Sequence, residues 1–338
     1  MHMDRQQKFF DFDDENFMYV IMLVFLQLRH QEETDKMLRE LDKELRLSNR
    51  FFPDGKLIDT IQSLSAISSL KIKRGTKLFR CRLISKEQET SFLKPLMDDL
   101  ISLTKKFVPT FDENAAIAGM TEWVKLPAYF SQHQDELCKW EEASQLIEEH
   151  YSKSSFWGYD KDGSDAPPPG CPAPGRINPD GISYLYAAED IRTAILEVRP
   201  IPTQYVSVAQ IEIVEDINIY SFVKPMEMDS EGKNWLSCVD YDEISKYFAA
   251  PNYGGKSYYL ATQYISEYIK HMKNSDGQAM FDGLCFRSSL NPDGTNCVLF
   301  DVSPTRKYQI CNSSLCQVKN LLGDFEYILP MSTSKSEE

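Results

Sequence analysis

Apolar positions fall at helical spacing in the first part of the chain and alternate in the last. Over residues 15–48, Met37, Leu38, Leu41 and Leu45 line one side of a helix, and Asp13, Asp14 and Asn16 offer N-cap oxygens at its start. The run Phe17–Leu28, FMYVIMLVFLQL, is apolar on every side and predicts a buried helix. It is too short to cross a bilayer, which takes about 20 residues. The acidic DFDDEN before it is unlike the basic lead of a signal peptide. Pro53-Asp54-Gly55 marks a turn, and Leu57–Leu70 reads as a second short helix. Together these predict a helical N-terminal unit over residues 1–70.

The pattern changes at 75–84, GTKLFRCRLI. Leu78, Arg80 and Arg82 alternate there with Phe79, Cys81 and Leu83, as in a strand. Residues 88–157 read as a helical insertion with two amphipathic segments, SFLKPLMDDLISLTKKF and DELCKWEEASQLIEEHY. Residues 158–175, dense in Gly and Pro, predict a loop. SYLYAA (183–188) then reads as a strand. Asp190–Arg199 reads as a short helix with Ile191, Ala194, Ile195 and Val198 on one stripe and Pro200 as its stop. YVSVAQIEIV, INIYSFV, GLCFRSS and NCVLFDVS read as strands, the last two joined by Asn291-Pro292-Asp293-Gly294. KSYYLATQYISEYIKHM reads as a helix, YQICNSS and FEYIL as a last hairpin, and 331–338 as a disordered tail. The expected architecture is α+β, with a second domain spanning 71–330.

Charge narrows the partners. The 338-residue chain has a formal net charge of -14, which repels phosphate backbones and disfavours nucleic acid. A small anionic ligand needs only one or two local cations and stays open. The 8 cysteines form no C-x-x-C pair and read as mostly reduced thiols, with Cys285 and Cys297 as small core residues. The 5 histidines stand at no ligand-like spacing to them, so no metal site is expected.

Candidate chemistry gathers in GRINPDGISYLYAAEDIRTAILEVRP, residues 175–200. Arg176 and Asn178 follow the loop, Asn178-Pro179-Asp180-Gly181 makes a turn, the turn delivers a strand carrying Tyr186, and the strand feeds a helix carrying Glu197. Glu197 lies off the apolar stripe of that helix and so is placed to border a cleft. Taken singly, each residue also has a plain explanation. Arg80 can be a strand-edge ion-pair partner, Glu197 a solvated carboxylate, Tyr186 a core residue and Ser288 a turn hydroxyl. Arg176, Asn178 and Asn296 can equally be turn builders.

The segment resembles the central motif of RES domains, in which a Gly-Arg-aromatic-Asn-Pro turn leads to a Leu-Tyr strand and then to a helix bearing Glu; here Ile177 stands at the aromatic position. The family is named for Arg, Glu and Ser in that order. They match Arg80 in LFRCR, Glu197, and Ser288 in GLCFRSS with Ser289 beside it, followed by Gly294 and Asn296. The resemblance implies an ADP-ribosyltransferase-like fold with a mixed or antiparallel sheet, NAD as substrate, and no metal. It further implies cleavage of the nicotinamide–ribose bond, with water or phosphate as acceptor, as in toxins of toxin–antitoxin pairs. On that reading Glu197 stabilises the positive ribose, Arg80 and Arg176 serve the pyrophosphate, and Tyr186 stacks on a ring. Ser288 donates to the substrate, and Asn178, Gly181, Ser289 and Asn296 complete the binding surface. Rival readings are transfer of ADP-ribose to a macromolecule, and a non-catalytic module that binds a nucleotide or a partner. The expected setting is the cytoplasm of a bacterium, with a helix-turn-helix antitoxin as partner, no membrane association, and a homodimer left open.

Overall fold

The computed structural model describes residues 14–53, 55–89, 155–223, 235–250 and 259–319, together with single positions between 91 and 145. The amphipathic segments expected within 88–157, the FEYIL strand and the tail 331–338 lie outside the described residues. The chain divides into two units. The first comprises Met1–Cys81, Tyr159–Glu197 and Val208–Ser313. The second comprises Arg82–Gly158, Val198–Ser207 and Ser314–Glu338. In the second, Ile84 N donates to Tyr205 O (3.1 Å), Thr203 N to Val318 O (2.7 Å) and Val318 N to Gln204 O (3.0 Å).

The element order is α1 (Asp14–Leu47), α2 (Lys56–Leu64), β1 (Ser69–Ile72), β2 (Lys77–Leu83), α3 (Lys161–Ser164), β3 (Leu185–Ala188), α4 (Ile191–Glu197), β4 (Tyr205–Ile213), β5 (Ile217–Ser221), α5 (Trp235–Ala249), α6 (Leu260–His271), β6 (Gly283–Arg287), β7 (Thr295–Leu299) and β8 (Tyr308–Gln317). The fold is mixed α+β. Eight strands form one sheet in the order β1-β5-β6-β7-β3-β2-β4-β8. β5 and β6 are parallel, while β1–β5, β6–β7, β7–β3 and β3–β2 are antiparallel. The four residues Leu284–Val298 side by side with Cys285–Cys297 are buried on both faces, as central strands should be.

The main core lies in the first unit. Leu38, Leu41 and Leu45 of α1, Leu57, Ile61 and Leu64 of α2, Ile244 and Phe248 of α5 and Ile265 and Ile269 of α6 pack with Tyr220, Phe222, Leu284, Phe286 and Val298 of the sheet side. Phe222 and Phe248 stack with ring centroids 4.2 Å apart. Where α1 meets α5, Thr34 Oγ1 donates to Asp240 Oδ1 (2.6 Å), and His30 Nε2 lies 3.0 Å from the same oxygen.

Three expectations are corrected. The second helix ends at Leu64, not near residue 70. Ser68 N and Ile67 N both turn back to Leu64 O, and Ser69–Ile72 then pairs residue by residue with Ile217–Tyr220. Sheet hydrogen bonds here override a short helical pattern. The apolar run on α1 is not buried: Val20, Met22, Val24, Phe25, Leu26 and Leu28 are all exposed, Phe25 to 68%. Among the described residues of α1, the first buried position is Thr34. Finally, Cys285 and Cys297 are joined as a disulfide. They face each other across β6 and β7 with Cα atoms 4.3 Å apart, the close type of antiparallel pair. Cys81, Cys171, Cys238, Cys311 and Cys316 are not joined in disulfides.

The two ends of one helical turn make a test of this packing. Leu45 is 2% exposed and Leu47 is 74% exposed. Leu45→Ala is expected to cost about 2–5 kcal/mol in urea unfolding, and Leu47→Ala under about 0.5 kcal/mol.

Candidate functional site

The site is assembled by three sequence-distant segments of the first unit. Asp190 caps the start of α4: its carboxylate accepts from Thr193 N (2.8 Å) and from Thr193 Oγ1 (2.5 Å). The helix then runs just far enough to carry Glu197 at its last position. On the sheet, the β6–β7 turn closes with Gly294 N donating to Asn291 O (2.8 Å) and Ser288 N to Gly294 O (2.9 Å). Asn291 Nδ2 donates to Thr193 Oγ1 (2.8 Å), so the turn is tied to the first turn of α4. Only glycine fits at 294, because a Cβ there would stand 2.2 Å from Thr193 Oγ1.

This docking brings Glu197 to the sheet. Glu197 Oε1 accepts from Ser288 Oγ (2.6 Å) and from Asn296 Nδ2 (2.7 Å). Ser288 Oγ is itself fixed by Leu290 N (3.1 Å) and Asn291 N (3.2 Å), which donate to it. Ser288 and Asn296 are buried, at 5% and 6% exposure, while Glu197 is exposed. Among the described residues Glu197 Oε2 has no hydrogen-bond partner. The result is a carboxylate clamped through one oxygen and open through the other. Ser289, next to Ser288, is half-buried.

Arg80 stands on β2, two strands from Asn296 of β7. Asn296, Ala188 and Phe79 form one cross-strand row over β7, β3 and β2, and Arg80 follows Phe79 directly. Among the described residues, the β2–β3 ladder consists of that one pair, whereas β3–β7 has four and β6–β7 five. The half-buried Arg80 uses the opening: its Nη1 donates to Tyr186 O (2.9 Å), a carbonyl that a longer ladder would consume.

Tyr186 reaches the preceding turn. Its hydroxyl donates to Asn178 Oδ1 (2.8 Å) and accepts from Ile177 N (3.1 Å) and Asn178 N (3.3 Å). Asn178 Nδ2 donates to Ala173 O (3.0 Å) and Pro179 O (3.1 Å). Gly181, at φ +76, completes the turn in the left-handed region. Burial pushes the Tyr186 phenol up to about 12, against the opposing pull of the two backbone N–H groups. It is therefore a neutral donor at neutral pH. The stability it lends is complete below its unfolded value near 10 and fades as pH climbs toward 12.

Arg176 is placed differently from the arginine of β2. Its Nη1 donates to Phe248 O, and its guanidinium lies 5.8 Å from the Tyr259 ring and 5.5 Å from the Phe286 ring. Its own carbonyl accepts from Thr262 Oγ1 (2.6 Å). Arg176 thus ties the 175–178 loop to α5 and α6. The structure therefore joins Glu197, Ser288 and Asn296 directly, links Tyr186 to both Arg80 and Asn178, and sends Arg176 to the helical side. Asp190, Thr193 and Asn291 were not singled out from sequence. The Asp-x-x-Thr spacing of a helix cap was their one visible signal.

Among the described residues no three His, Cys, Asp or Glu side chains are arranged to hold a metal ion. No described helix is long and apolar enough to cross a membrane.

The RES domain model matches residues 144–314, half of the chain, and the protein belongs to the RES domain family. Membership of that family supports an enzyme in general. No curated protein matches the sequence. Among solved structures, the chain is similar to one in the crystal structure of the M. tuberculosis MbcT–MbcA toxin–antitoxin complex. The identity is 14%, the match covers 43% of this chain and 72% of that one, and the TM-score is 0.26. So slight a likeness supports no residue-level comparison.

Tyr186→Phe tests the turn. It strands Asn178 Oδ1 and removes the acceptor of two backbone N–H groups. The expected loss is about 1–3 kcal/mol in chemical denaturation. A variant as stable as the parent would show that the hydroxyl is dispensable.

Proposed function

We propose that this protein consumes NAD by breaking the bond between nicotinamide and ribose, with Glu197 as the charge-stabilising carboxylate. The observation that carries the reading is the exposed Glu197, held through Oε1 by Ser288 and Asn296 with Oε2 left over. As the C–N bond breaks, its electron pair leaves with nicotinamide, which departs neutral, and positive charge develops on the ribose carbon. A carboxylate fixed in advance stabilises that charge without reorganising. Two neutral donors on one oxygen hold the group in place. Water or phosphate then forms the new bond to the ribose carbon. With water, a proton is released and ADP-ribose results; with phosphate, a sugar phosphate results. Arg80, with a planar guanidinium, is the cation for the pyrophosphate. Ser288 and Asn296 act on the reaction by positioning Glu197, and Tyr186 with Asn178 by shaping the neighbouring turn. Gly181, Ser289 and Arg176 complete the proposed binding surface.

The family resemblance extends the proposal to a toxin-type or defence effector restrained by a partner protein. Expression of the chain alone should then arrest growth, and co-expression of a neighbouring antitoxin gene should relieve it.

Purified protein incubated with NAD, with and without phosphate, should release nicotinamide. Glu197→Gln keeps the size and the Oε1 acceptor but removes the charge, and should lower the rate about 10²–10³-fold while thermal unfolding stays unchanged. Absence of nicotinamide release by the parent under both conditions would overturn the reading. Radiolabel appearing on a macromolecule instead of in free ADP-ribose would redirect it to group transfer.

A further inference from the structure

A cleft of about 350 Å³ opens in the first unit between α1 and α5, at the ends of β5 and β6. That volume lies in the range of small-molecule sites, about 300–1,000 Å³. Gln27 and Gln31, one turn apart on α1, bring two side-chain amides to it, and Phe222, Trp235 and Tyr241 bring three rings. Two of the rings are held before any ligand arrives. Phe222 stacks on Phe248 at 4.2 Å, and the Tyr241 hydroxyl donates to Ser221 O (2.8 Å). Among the described residues the charged groups on the lining are Arg287 and Asp242, one of each sign, so the cleft selects neither an anion nor a cation.

The sheet ties this cleft to Glu197. Ser221 pairs with Cys285 and Phe286 with Asn296, and Phe222 N continues the ladder by donating to Cys285 O (2.8 Å). Phe222, Phe286 and Asn296 therefore stand in one row on one face, since side chains alternate along each strand. The Phe222 and Phe286 rings both neighbour Phe248, at 4.2 and 6.5 Å, as a shared face requires. Two strand spacings, on the order of 10 Å, separate Phe222 from Asn296, which donates to Glu197. We infer that the cleft binds a small neutral planar ring bearing a carboxamide, and that its occupant is the nicotinamide freed at Glu197, an inference that rests on the proposed cleavage of NAD. A carboxamide carries donor and acceptor at one end, and a glutamine side chain answers both. The three rings take the flat body. Nicotinamide leaves without charge, which suits a lining of balanced charge. α1 lies outside residues 144–314 that match the family, so the amide wall is an addition made by the N-terminal helix.

Titration of the full chain with nicotinamide alone, followed by calorimetry or ligand-observed NMR, needs no turnover and should show saturable binding. Pyridine, the same ring without the amide, should bind about tenfold more weakly. Gln27→Ala combined with Gln31→Ala should weaken nicotinamide binding about tenfold with unchanged circular dichroism. No saturable binding, or binding that the folded double variant keeps in full, overturns the inference even where the parent cleaves NAD. Pyridine held as tightly as nicotinamide overturns the carboxamide preference. Should the double variant lose its fold, hydrogen exchange of the parent decides. Nicotinamide should slow exchange over residues 235–245, and protection confined to other segments would place the ligand elsewhere and overturn the inference. Binding through the two glutamines by a parent that never releases nicotinamide from NAD would keep the cleft and overturn the activity it was taken to serve.

Discussion

Glu197 Oε1 receives hydrogens from Ser288 and Asn296, and much of the local structure exists to allow that meeting. The carboxylate sits at the end of a seven-residue helix that would be marginal alone. Its start is pinned by Asp190 and Thr193, and Thr193 in turn by Asn291 of the β6–β7 turn. The same turn sets Ser288 through the N–H groups of Leu290 and Asn291. One loop therefore locates both the helix that carries the acid and a hydroxyl that steadies it.

The sheet supplies the second half of the arrangement. β6 and β7 are central and buried, so the Ser288–Asn296 pair stands on a rigid base. Beyond β3 the hydrogen-bonded ladder to β2 shrinks to a single pair, and Arg80 enters where it fails. Strand separation at this point frees a main-chain carbonyl and admits a guanidinium. The Tyr186 strand passes between these two features and anchors the 175–178 turn through its hydroxyl.

The strands and the longer helices were legible because their periodicity was strong. α1, α4, α6 and most strands fall where alternation or a helical stripe puts them. α5 was missed, although Tyr241, Ile244 and Phe248 mark one face, because the acidic and aromatic residues between them blur the stripe. β1 was read as helix since four residues are too few to show alternation, and only their pairing with β5 defines them. Of the candidate site, Ser288 and Asn296 were visible through family resemblance, while Glu197 also stood out at the edge of its helix's apolar stripe. Nothing in the chain order of residues 197, 288 and 296 says that they touch. The destination of Arg176 was hidden for the same reason: the Phe248 carbonyl that receives it lies on a helix 72 positions away. The exposure of Val20, Met22, Val24, Phe25, Leu26 and Leu28 ran against expectation because composition reports a need for cover and not whether the same chain provides it.

The fit of Gly294 against Thr193 has a consequence for how this protein can vary. Turns between strands ordinarily tolerate substitution, yet here a bare backbone touches the wall of α4. The loop acts as a shim whose thickness sets the height of the acid above the sheet. Drift in the surface residues Pro292 and Asp293 leaves that thickness alone, whereas even one added carbon at 294 would lift the helix and carry its terminal carboxylate off its two donors.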